Sequence, residues 1–234
     1  MSKANADLLR FSRLRGGYGD TTVLKGIDGG VREGQTLGIL GRNGVGKTTL
    51  MRLLTGYLQP SSGEISWKGM DYSRLAPFKR SRLGLAYSPQ EQVVFDELSV
   101  ADNLILHLDS RDMSRYAPYL QAFPRLKERL RQRAGTLSGG EKKLLAFVRV
   151  LAEGKPLSLL DEPTEGVQQE NIDLMASLLR QRAAQGAAFI IVEQNLEFLR
   201  QVMDSLLVLD HGQCVAQGRA AEFDRARLAG FLHV

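Results

Sequence analysis

The chain has 234 residues, a formal net charge of +5 at pH 7 and a hydrophobic content of 43%, which suits one soluble α/β domain with or without a small subdomain. No apolar run approaches the roughly 20 residues that a membrane-spanning helix needs, and the first residues lack the apolar core of a secretion signal. The lone Cys214 excludes an intrachain disulfide and fits a reducing compartment, so a cytoplasmic protein is expected.

The first 90 residues alternate between strand-like apolar runs and glycine-rich turns. Strands are predicted at residues 8–14, 23–27, 37–40, 64–67 and 83–87. One helix is predicted at residues 49–57, because its leucines recur at helical spacing.

Residues 100–133 are more polar and helical in pattern, with interruptions at Pro118 and Pro124. The densest basic run, RLKERLRQR at residues 125–133, predicts an amphipathic helix with a charged solvent face, because its leucines are four residues apart. It contains no aromatic residue that could stack on a base, which argues against nucleic-acid binding.

An alternation of helices and strands resumes after Gly135. Helices are predicted at residues 138–152 and 169–185 and from residue 196, and strands at residues 157–160, 188–192 and 206–209. Strands that alternate with helices imply a largely parallel sheet, so the fold class is α/β with a helical insertion.

The segment LGILGRNGVGKTTLMRLL joins a predicted strand to a predicted helix through a loop that fits G-x-x-x-x-G-K-[ST]. In such a loop, backbone N–H groups and the helix N-terminus face a phosphate. Lys47 is expected to reach the β- and γ-phosphates and Thr48 to hold Mg²⁺. A tight glycine turn is the alternative, but both flanks fit a nucleotide site. The candidate nucleotide-binding residues are Gly41, Arg42, Asn43, Gly44, Val45, Gly46, Lys47, Thr48 and Thr49.

The segment LSLLDEP ends a predicted strand in two acids, Asp161 and Glu162. A parallel sheet places its active site at the carboxyl ends of its strands. Asp161 is therefore expected to hold Mg²⁺ and Glu162 to polarise an attacking water. Taken alone, the segment could equally be a strand followed by an acidic turn, but the phosphate loop favours the catalytic interpretation.

The segment LSGGE opens the helix before that strand. Ser138 and Glu141 fit a capping box, which explains the serine and the glutamate. It does not explain Gly139 and Gly140, since each glycine inside a helix costs about 1 kcal/mol relative to alanine. Close approach of an anion to this helix end would explain them.

Together these motifs resemble, in their order, those of the ATP-binding subunits of ABC transporters. GRNGVGKTT is similar to the Walker A loop, LSGGE to the ABC signature, and LSLLDEP to Walker B with the catalytic glutamate. The resemblance implies a P-loop NTPase core with a mostly parallel sheet, a small antiparallel β part near the N-terminus and a helical insertion. Residues 1–90 and 136–234 would form the nucleotide-binding core of a single domain, and residues 91–135 its helical subdomain.

The resemblance also implies roles for single residues. Tyr18 would stack on adenine, and Gln90 in YSPQEQ would act in catalysis and at the Mg²⁺ site with Thr48 and Asp161. ABC ATPases work as head-to-tail dimers, in which the signature of one subunit holds the ATP of the other. Ser138, Gly139 and Gly140 would then grip the γ-phosphate of the partner's ATP.

The implied cofactors are ATP and Mg²⁺, and the implied partners are a second ATPase subunit, identical or paralogous, and transmembrane permease subunits. Nucleic acid would not bind, and the protein would be peripheral on the inner face of the cell membrane, touching it only through its partners. The segment EQVVFDELSV at residues 91–100 would meet the permease, although its apolar residues could equally belong to the core.

A narrower resemblance concerns the transported solute. GRNGVGKTTL, DEPTEGVQ and IIVEQN are similar to the ATPases of importers for branched-chain amino acids, urea or short-chain amides, with the urea-type subunit closest. The alternative is a soluble ABC-type ATPase that acts on nucleic acid or ribosomes. Such proteins tend to carry two cassettes or long coiled-coil insertions, and neither appears in these 234 residues.

The sequence departs from the wider family where a switch histidine and a D-loop aspartate are usual, because these positions hold Gln194 and Gln168. The signature also continues as EKKLLAFVRV, where glutamines and an arginine are commoner. Gln194 is nevertheless a candidate catalytic residue, since its amide can donate a hydrogen bond although it cannot exchange a proton near neutral pH. Alternatively, Gln194 could cap the helix that begins near Leu196.

Overall fold

The computed structural model describes residues 7–108 and 111–233. Its strands are β1 (Leu9–Tyr18), β2 (Thr21–Val31), β3 (Thr36–Leu40), β4 (Ser62–Trp67), β5 (Met70–Asp71), β6 (Leu85–Ser88), β7 (Leu157–Asp161), β8 (Ala188–Val192), β9 (Ser205–Asp210) and β10 (Gln213–Arg219). Its helices are α1 (Lys47–Thr55), α2 (Pro77–Leu83), α3 (Val100–Ile105), α4 (Ala117–Ala122), α5 (Pro124–Glu128), α6 (Gly139–Glu153), α7 (Gln169–Ala184), α8 (Leu196–Val202) and α9 (Arg225–His233).

Two sheets form the framework. The larger has the strand order β10-β9-β3-β8-β7-β6, in which only β10 at the edge is antiparallel to its neighbour. Strands β3, β7 and β8 are buried along their whole length, as expected for parallel strands covered on both faces. The smaller sheet, β2-β1-β4-β5, is antiparallel and lies early in the chain. This architecture confirms the predicted fold class.

The central parallel sheet separates two hydrophobic cores. Strand β8 shows the division, because successive side chains of a strand point to opposite faces. Ile190 and Val192 belong to the core shared with the antiparallel sheet and α1. Phe189 and Ile191 belong to the core shared with α6, α7 and α8. The sheet is therefore held from both sides, and the carboxyl ends of its strands are left to carry a site.

The structure corrects two of the predicted elements: the strand predicted at residues 83–87 is present but begins at Leu85, and the helix predicted at residues 125–133 is shorter. Leu83 ends α2 instead of beginning a strand, and Gly84 turns the chain into β6 with a φ of 121°. The pattern misses α2 because its buried side chain is Arg80, which donates to four backbone carbonyl oxygens. The basic run at residues 125–133 is not one helix, since α5 ends at Glu128 and turns lead from there to a bridge between Arg133 and Ser99.

Helices α3, α4 and α5 lie between β6 and α6, where the helical insertion is predicted; residues 109–110 of that segment lie outside the described residues. The apolar residues of the segment at 91–100 divide between core and surface. Val93 is buried, whereas the Phe95 side chain is 55% exposed. The segment is therefore neither wholly core nor wholly surface: Val93 belongs to the interior, and Phe95 is available for a partner.

Candidate active site

The glycine-rich loop joins β3 to α1, in the strand–loop–helix context that its pattern requires. Gly46 immediately precedes α1 with a φ of 111°, in a region that favours glycine. A Cβ atom at this position would lie 2.7 Å from Leu24 Cδ2, so a side chain would have to displace the buried Leu24. The loop thus delivers the chain directly onto the N-terminus of α1, where backbone N–H groups lack helical partners. Arg42, Asn43 and Gly44 are exposed, whereas Gly41, Val45 and Thr49 are buried.

The Lys47 ammonium lies inside the loop. It donates to the carbonyl oxygens of Gly41 at 2.7 Å and Arg42 at 3.0 Å, and it lies 3.7 Å from Oε1 of Glu162. Burial lowers the pKa of Lys47, and the nearby carboxylates of Glu162 and Asp161 oppose that shift. The loop and the two acids at the end of β7 therefore form one site around this ammonium group.

Asp161 ends β7 with its side chain 1% exposed, and neither carboxylate oxygen has a hydrogen-bond partner among the described residues. Burial, and after it the charge of Glu162, raises the pKa of Asp161 to about 6. The nearby Thr48 hydroxyl opposes this rise, although it forms no hydrogen bond of ordinary geometry with Asp161. Buried carboxylate oxygens without donors, beside a hydroxyl, suit a hard cation such as Mg²⁺. The residues present therefore fit the implied metal.

Glu162 follows β7 and joins three parts of the chain. Its Oε2 accepts a hydrogen bond of 2.8 Å from Gln90 Nε2, and its Oε1 accepts one of 2.9 Å from Gln194 Nε2. The residue is 8% exposed and adopts a φ of 47°, which is uncommon for a residue other than glycine. Gln90, Gln194 and Lys47 thus surround one carboxylate.

Gln194 also reaches the phosphate loop. Its Nε2 donates to Asn43 Oδ1 at 2.7 Å, in addition to its bond to Glu162. It does not cap α8, because Asn195 is the capping residue and its Oδ1 accepts from the Phe198 N–H. The alternative interpretation of Gln194 as a helix cap is therefore wrong.

Tyr18 ends β1 on the surface beside α1. Its hydroxyl accepts a hydrogen bond of 3.1 Å from Arg52, whose guanidinium carbon lies 5.8 Å from the ring centroid. The Tyr18 side chain is 45% exposed. The Tyr18 ring is thus held beside α1 and is open to solvent, so a flat base could stack on its face.

The comparisons with known proteins agree with this geometry. The family model of ABC transporters matches residues 24–165, which include the phosphate loop and both acids at the end of β7. This chain belongs to the ABC transporter family. It is an ABC ATPase, that is, an ATP-binding subunit that hydrolyses ATP.

Curated relatives and solved structures cover nearly all of this ABC ATPase. The chain is 34% identical to the high-affinity branched-chain amino acid transport ATP-binding protein BraG of Pseudomonas aeruginosa, over 92% of this chain and 94% of that protein. It is 31% identical to the probable branched-chain amino acid transport ATP-binding protein LivF of Archaeoglobus fulgidus, over 92% and 93%. It is 33% identical to the Nod factor export ATP-binding protein I of Cupriavidus pinatubonensis, over 91% and 66%. A solved ATP-binding subunit of an ABC transporter superposes with a TM-score of 0.81 at 27% identity, covering 97% and 95%.

The signature of this ABC ATPase borders a groove. The capping box of Ser138 and Glu141 is present as predicted. A groove of about 870 Å³ runs along Ser138 and Gly140 between α5 and the start of α7, and in the described part of the chain its lining includes no residue of the loop. Gln168 also lines this groove and precedes α7. The groove beside the signature is therefore formed without the chain's own phosphate loop.

The two signature glycines differ in their surroundings. A Cβ atom at Gly140 would collide with the carbonyl oxygen of Gly166, so the chain's own packing requires this glycine. A Cβ atom at Gly139 would meet nothing within 4 Å. Packing inside the chain thus explains Gly140 but not Gly139. For Gly139 the predicted reason, close approach of an anion, stays a prediction.

The structure adds two functional candidates that the sequence pattern missed. Glu193 is 3% exposed and accepts hydrogen bonds from the N–H and hydroxyl of Thr164 and from the N–H groups of Gln194 and Asn195. Burial raises the pKa of Glu193, although these donors oppose the rise. Lys143 on α6 contacts the backbone of Gln90 and Glu162. The signal for Glu193 in the sequence was an acid directly after the apolar run of β8 and next to Gln194, a predicted catalytic residue.

No helix in the described ranges is both long enough and apolar enough to cross a membrane.

Proposed function

We propose that this ABC ATPase powers an importer for branched-chain amino acids, urea or short-chain amides, and that Glu162 is the base of its ATP hydrolysis. The observation that carries the catalytic part is the Glu162 carboxylate, which is bound by two glutamine amides and lies 3.7 Å from the phosphate-loop lysine. The importer part is supported by the relatives BraG and LivF, which this chain matches over more than nine-tenths of their length.

In the proposed chemistry the phosphate loop and Lys47 bind the triphosphate, and Tyr18 stacks on the base. Thr48, Asp161 and Gln90 hold Mg²⁺, which would neutralise negative charge on the phosphate oxygens. Glu162 takes a proton from the attacking water as general base. The amides of Gln90 and Gln194 restrict its carboxylate to one orientation, which keeps the acceptor oxygen aimed at the water.

ABC ATPase subunits work as dimers with transmembrane permease subunits. We place Ser138, Gly139 and Gly140 on the γ-phosphate of the partner's ATP, in a head-to-tail dimer. Two observations support this arrangement: the groove beside Ser138 contains no residue of the chain's own phosphate loop, and Gly139 is open to an incoming group. A second subunit would supply the missing loop, whether identical or paralogous.

The proposed permease contact is the segment that follows Gln90. Phe95 is 55% exposed there, while Val93 anchors the same segment in the protein. We regard residues 91–135 as a helical subdomain of the single domain 1–234. Membrane contact would come only through the permease, which places the ATPase peripherally on the cytoplasmic face.

The test is reconstitution of the ATPase with its permease subunits and a solute-binding protein in vesicles. Uptake of a branched-chain amino acid, urea or a short-chain amide that requires ATP and is lost in Glu162→Gln is expected. ATP-driven movement of solute in the opposite direction would contradict the importer. Stimulation of the purified ATPase several-fold by DNA, RNA or ribosomes would instead favour a soluble ABC-type ATPase.

A further inference from the structure

We infer that Lys143 is a positioning residue for ATP hydrolysis, one that fixes the backbone of Glu162 and Gln90 and ties both to the signature helix. This inference rests on the proposed role of Glu162 as the base. Lys143 lies on the first turns of α6, one helical turn after Gly140. Its role is to hold other residues in place, since its ammonium group contacts the backbone of Gln90 and Glu162 and the side chain of Glu165.

The three donors of the Lys143 ammonium face three acceptors. Nζ donates to the carbonyl oxygen of Gln90 at 2.7 Å and to that of Glu162 at 3.0 Å, and it lies 3.5 Å from Oε2 of Glu165. The Lys143 side chain is only 10% exposed. Burying an ammonium group is costly unless it is paired and hydrogen-bonded, so these contacts are what stabilises the lysine at this position.

Lys143 holds one of the two peptide groups that flank the Glu162 Cα atom. The other is held by β8, because the Glu162 N–H donates to the Val192 carbonyl oxygen at 2.9 Å. Between these two anchors Glu162 keeps a φ of 47°, which a residue with a side chain rarely adopts without support. Without the ammonium group the Glu162 peptide can relax, and the carboxylate direction changes with it.

The same ammonium group closes a ring of contacts. Lys143 binds the backbone of both Gln90 and Glu162, and the side chains of those two residues are bonded to each other at 2.8 Å. A shift of α6 therefore moves the base and the glutamine together. Since α6 begins at the signature, a movement of the signature would be transmitted along α6 and through Lys143 to Glu162.

Lys142, the preceding residue, provides a matched control. It lies on the same turn of α6 and its ammonium pairs with Asp96 at 2.8 Å, near the surface. It has the same charge and length as Lys143 but a different set of partners. A difference between the two variants therefore reports the contacts to Gln90 and Glu162.

The experiment compares Lys143→Met and Lys142→Met in the assembled transporter, by steady-state ATPase kinetics and titration with a fluorescent ATP analogue. Methionine keeps the unbranched stem and removes the ammonium group. For Lys143→Met we expect kcat to fall by about 10-fold or more, as loss of a charged hydrogen bond that orients a base would give, while KM for ATP and nucleotide affinity stay near parental values. Lys142→Met should retain parental kcat.

A second comparison separates positioning from a general loss of structure. In the Glu162→Gln background, Lys143→Met should cause no further loss of hydrolysis, because residues that act through one group are non-additive. If Lys143→Met does not assemble, Lys143→Gln takes its place with the same expected pattern, since its amide has fewer donors and no charge. Parental kcat in the Lys143 variant, equal losses in both lysine variants, or an additive loss in the double variant would each overturn the inference.

The outcomes also separate this inference from the proposed function. A Glu162→Gln complex that hydrolyses ATP at the rate of an active parent complex would contradict Glu162 as base. An active parent that depends on Glu162, with an unaffected Lys143→Met variant, would contradict only the role of Lys143.

Discussion

The side-chain amide of Gln194 donates a hydrogen bond of 2.9 Å to Oε1 of Glu162. The same nitrogen donates to Asn43 in the phosphate loop at 2.7 Å, so one amide connects the proposed base with the proposed phosphate site. In many ABC ATPases, to which this sequence is similar, a histidine stands at this position. The glutamine keeps the donor but not the titratable proton, which separates positioning from proton transfer.

Lys47→Ala is expected to abolish tight MgATP binding. The substitution removes the positive charge that lies inside the loop between the Gly41 and Arg42 carbonyl oxygens. Titration of the purified variant with nucleotide measures the effect. Lys79→Ala, which removes an exposed lysine of α2, is the charge-matched control and should bind as the parent does. Unchanged affinity in Lys47→Ala would remove Lys47 from the phosphate site.

Glu162→Gln is expected to preserve ATP binding and to slow hydrolysis by about 10²–10⁴-fold, as loss of a general base does. A glutamine at this position has one acceptor oxygen instead of two, so one of the hydrogen bonds from Gln90 and Gln194 must be lost or reversed. Single-turnover phosphate release is the measurement. A parental rate would show that the base lies elsewhere.

The same variant should accumulate as an ATP-bound dimer when its ATPase partner is present. ATP binding persists while hydrolysis, which would release the dimer, does not. Size-exclusion chromatography with ATP and with ADP tests this expectation, and a monomer in both nucleotides, with the partner supplied, would argue against the head-to-tail arrangement.

Gly140→Ala and Gly139→Ala should differ in their effect on the free energy of unfolding. Alanine at Gly140 collides with Gly166, so we expect lower stability by about 1–3 kcal/mol, as other overpacked positions show. Alanine at Gly139 has open space in the isolated chain and favours the helix, so stability should be unchanged or slightly higher. Urea unfolding of the isolated subunits measures both.

Hydrolysis completes that comparison. If Gly139 makes room for the partner's nucleotide, Gly139→Ala should lower the ATPase rate of the assembled complex without lowering stability. A parental rate in Gly139→Ala would mean that the signature needs only one glycine, the one that packs against Gly166.

Local sequence patterns predicted most of the fold correctly because the central strands are continuous apolar runs and the phosphate loop has a fixed spacing. They failed to predict α2, whose buried face is formed by a basic residue and not by apolar ones. Arg80 is fully buried in α2 and satisfied by four carbonyl oxygens, so a basic residue takes the place of an apolar one. The basic run after Pro124 gave the opposite error, because a helix was predicted over residues 125–133 and α5 ends at Glu128. Exposed charges are compatible with turns as well as with a helix.

The long-range contacts of the site lay beyond any local pattern. Lys143 reaches Gln90 across 53 positions and Glu162 across 19, and nothing in EKKLLAFVRV distinguishes it from Lys142 beside it, which pairs with Asp96 instead. Likewise, the space beside Gly140 is taken by Gly166 from a different loop. The resemblance to a family supplied the motif residues, while the groups that support those residues required coordinates.

Gln194→Ala is expected to lower hydrolysis by roughly 10-fold or more, the amount that corresponds to one lost hydrogen bond of about 1.4 kcal/mol. Alanine removes the link between Asn43 and Glu162, while Asn195 still caps α8, so stability should change little. Gln194→His should remain active, because an imidazole can donate to the same groups, and its rate should gain a pH dependence between about pH 6 and 8 as the ring titrates. The parent should show no such dependence from this position. Steady-state ATPase assays of the assembled complex across that pH range, with Gln194→Ala as the matched variant that cannot titrate, distinguish the possibilities. Parental activity of Gln194→Ala at every pH would mean that the hydrogen bond to Glu162 does not contribute to hydrolysis.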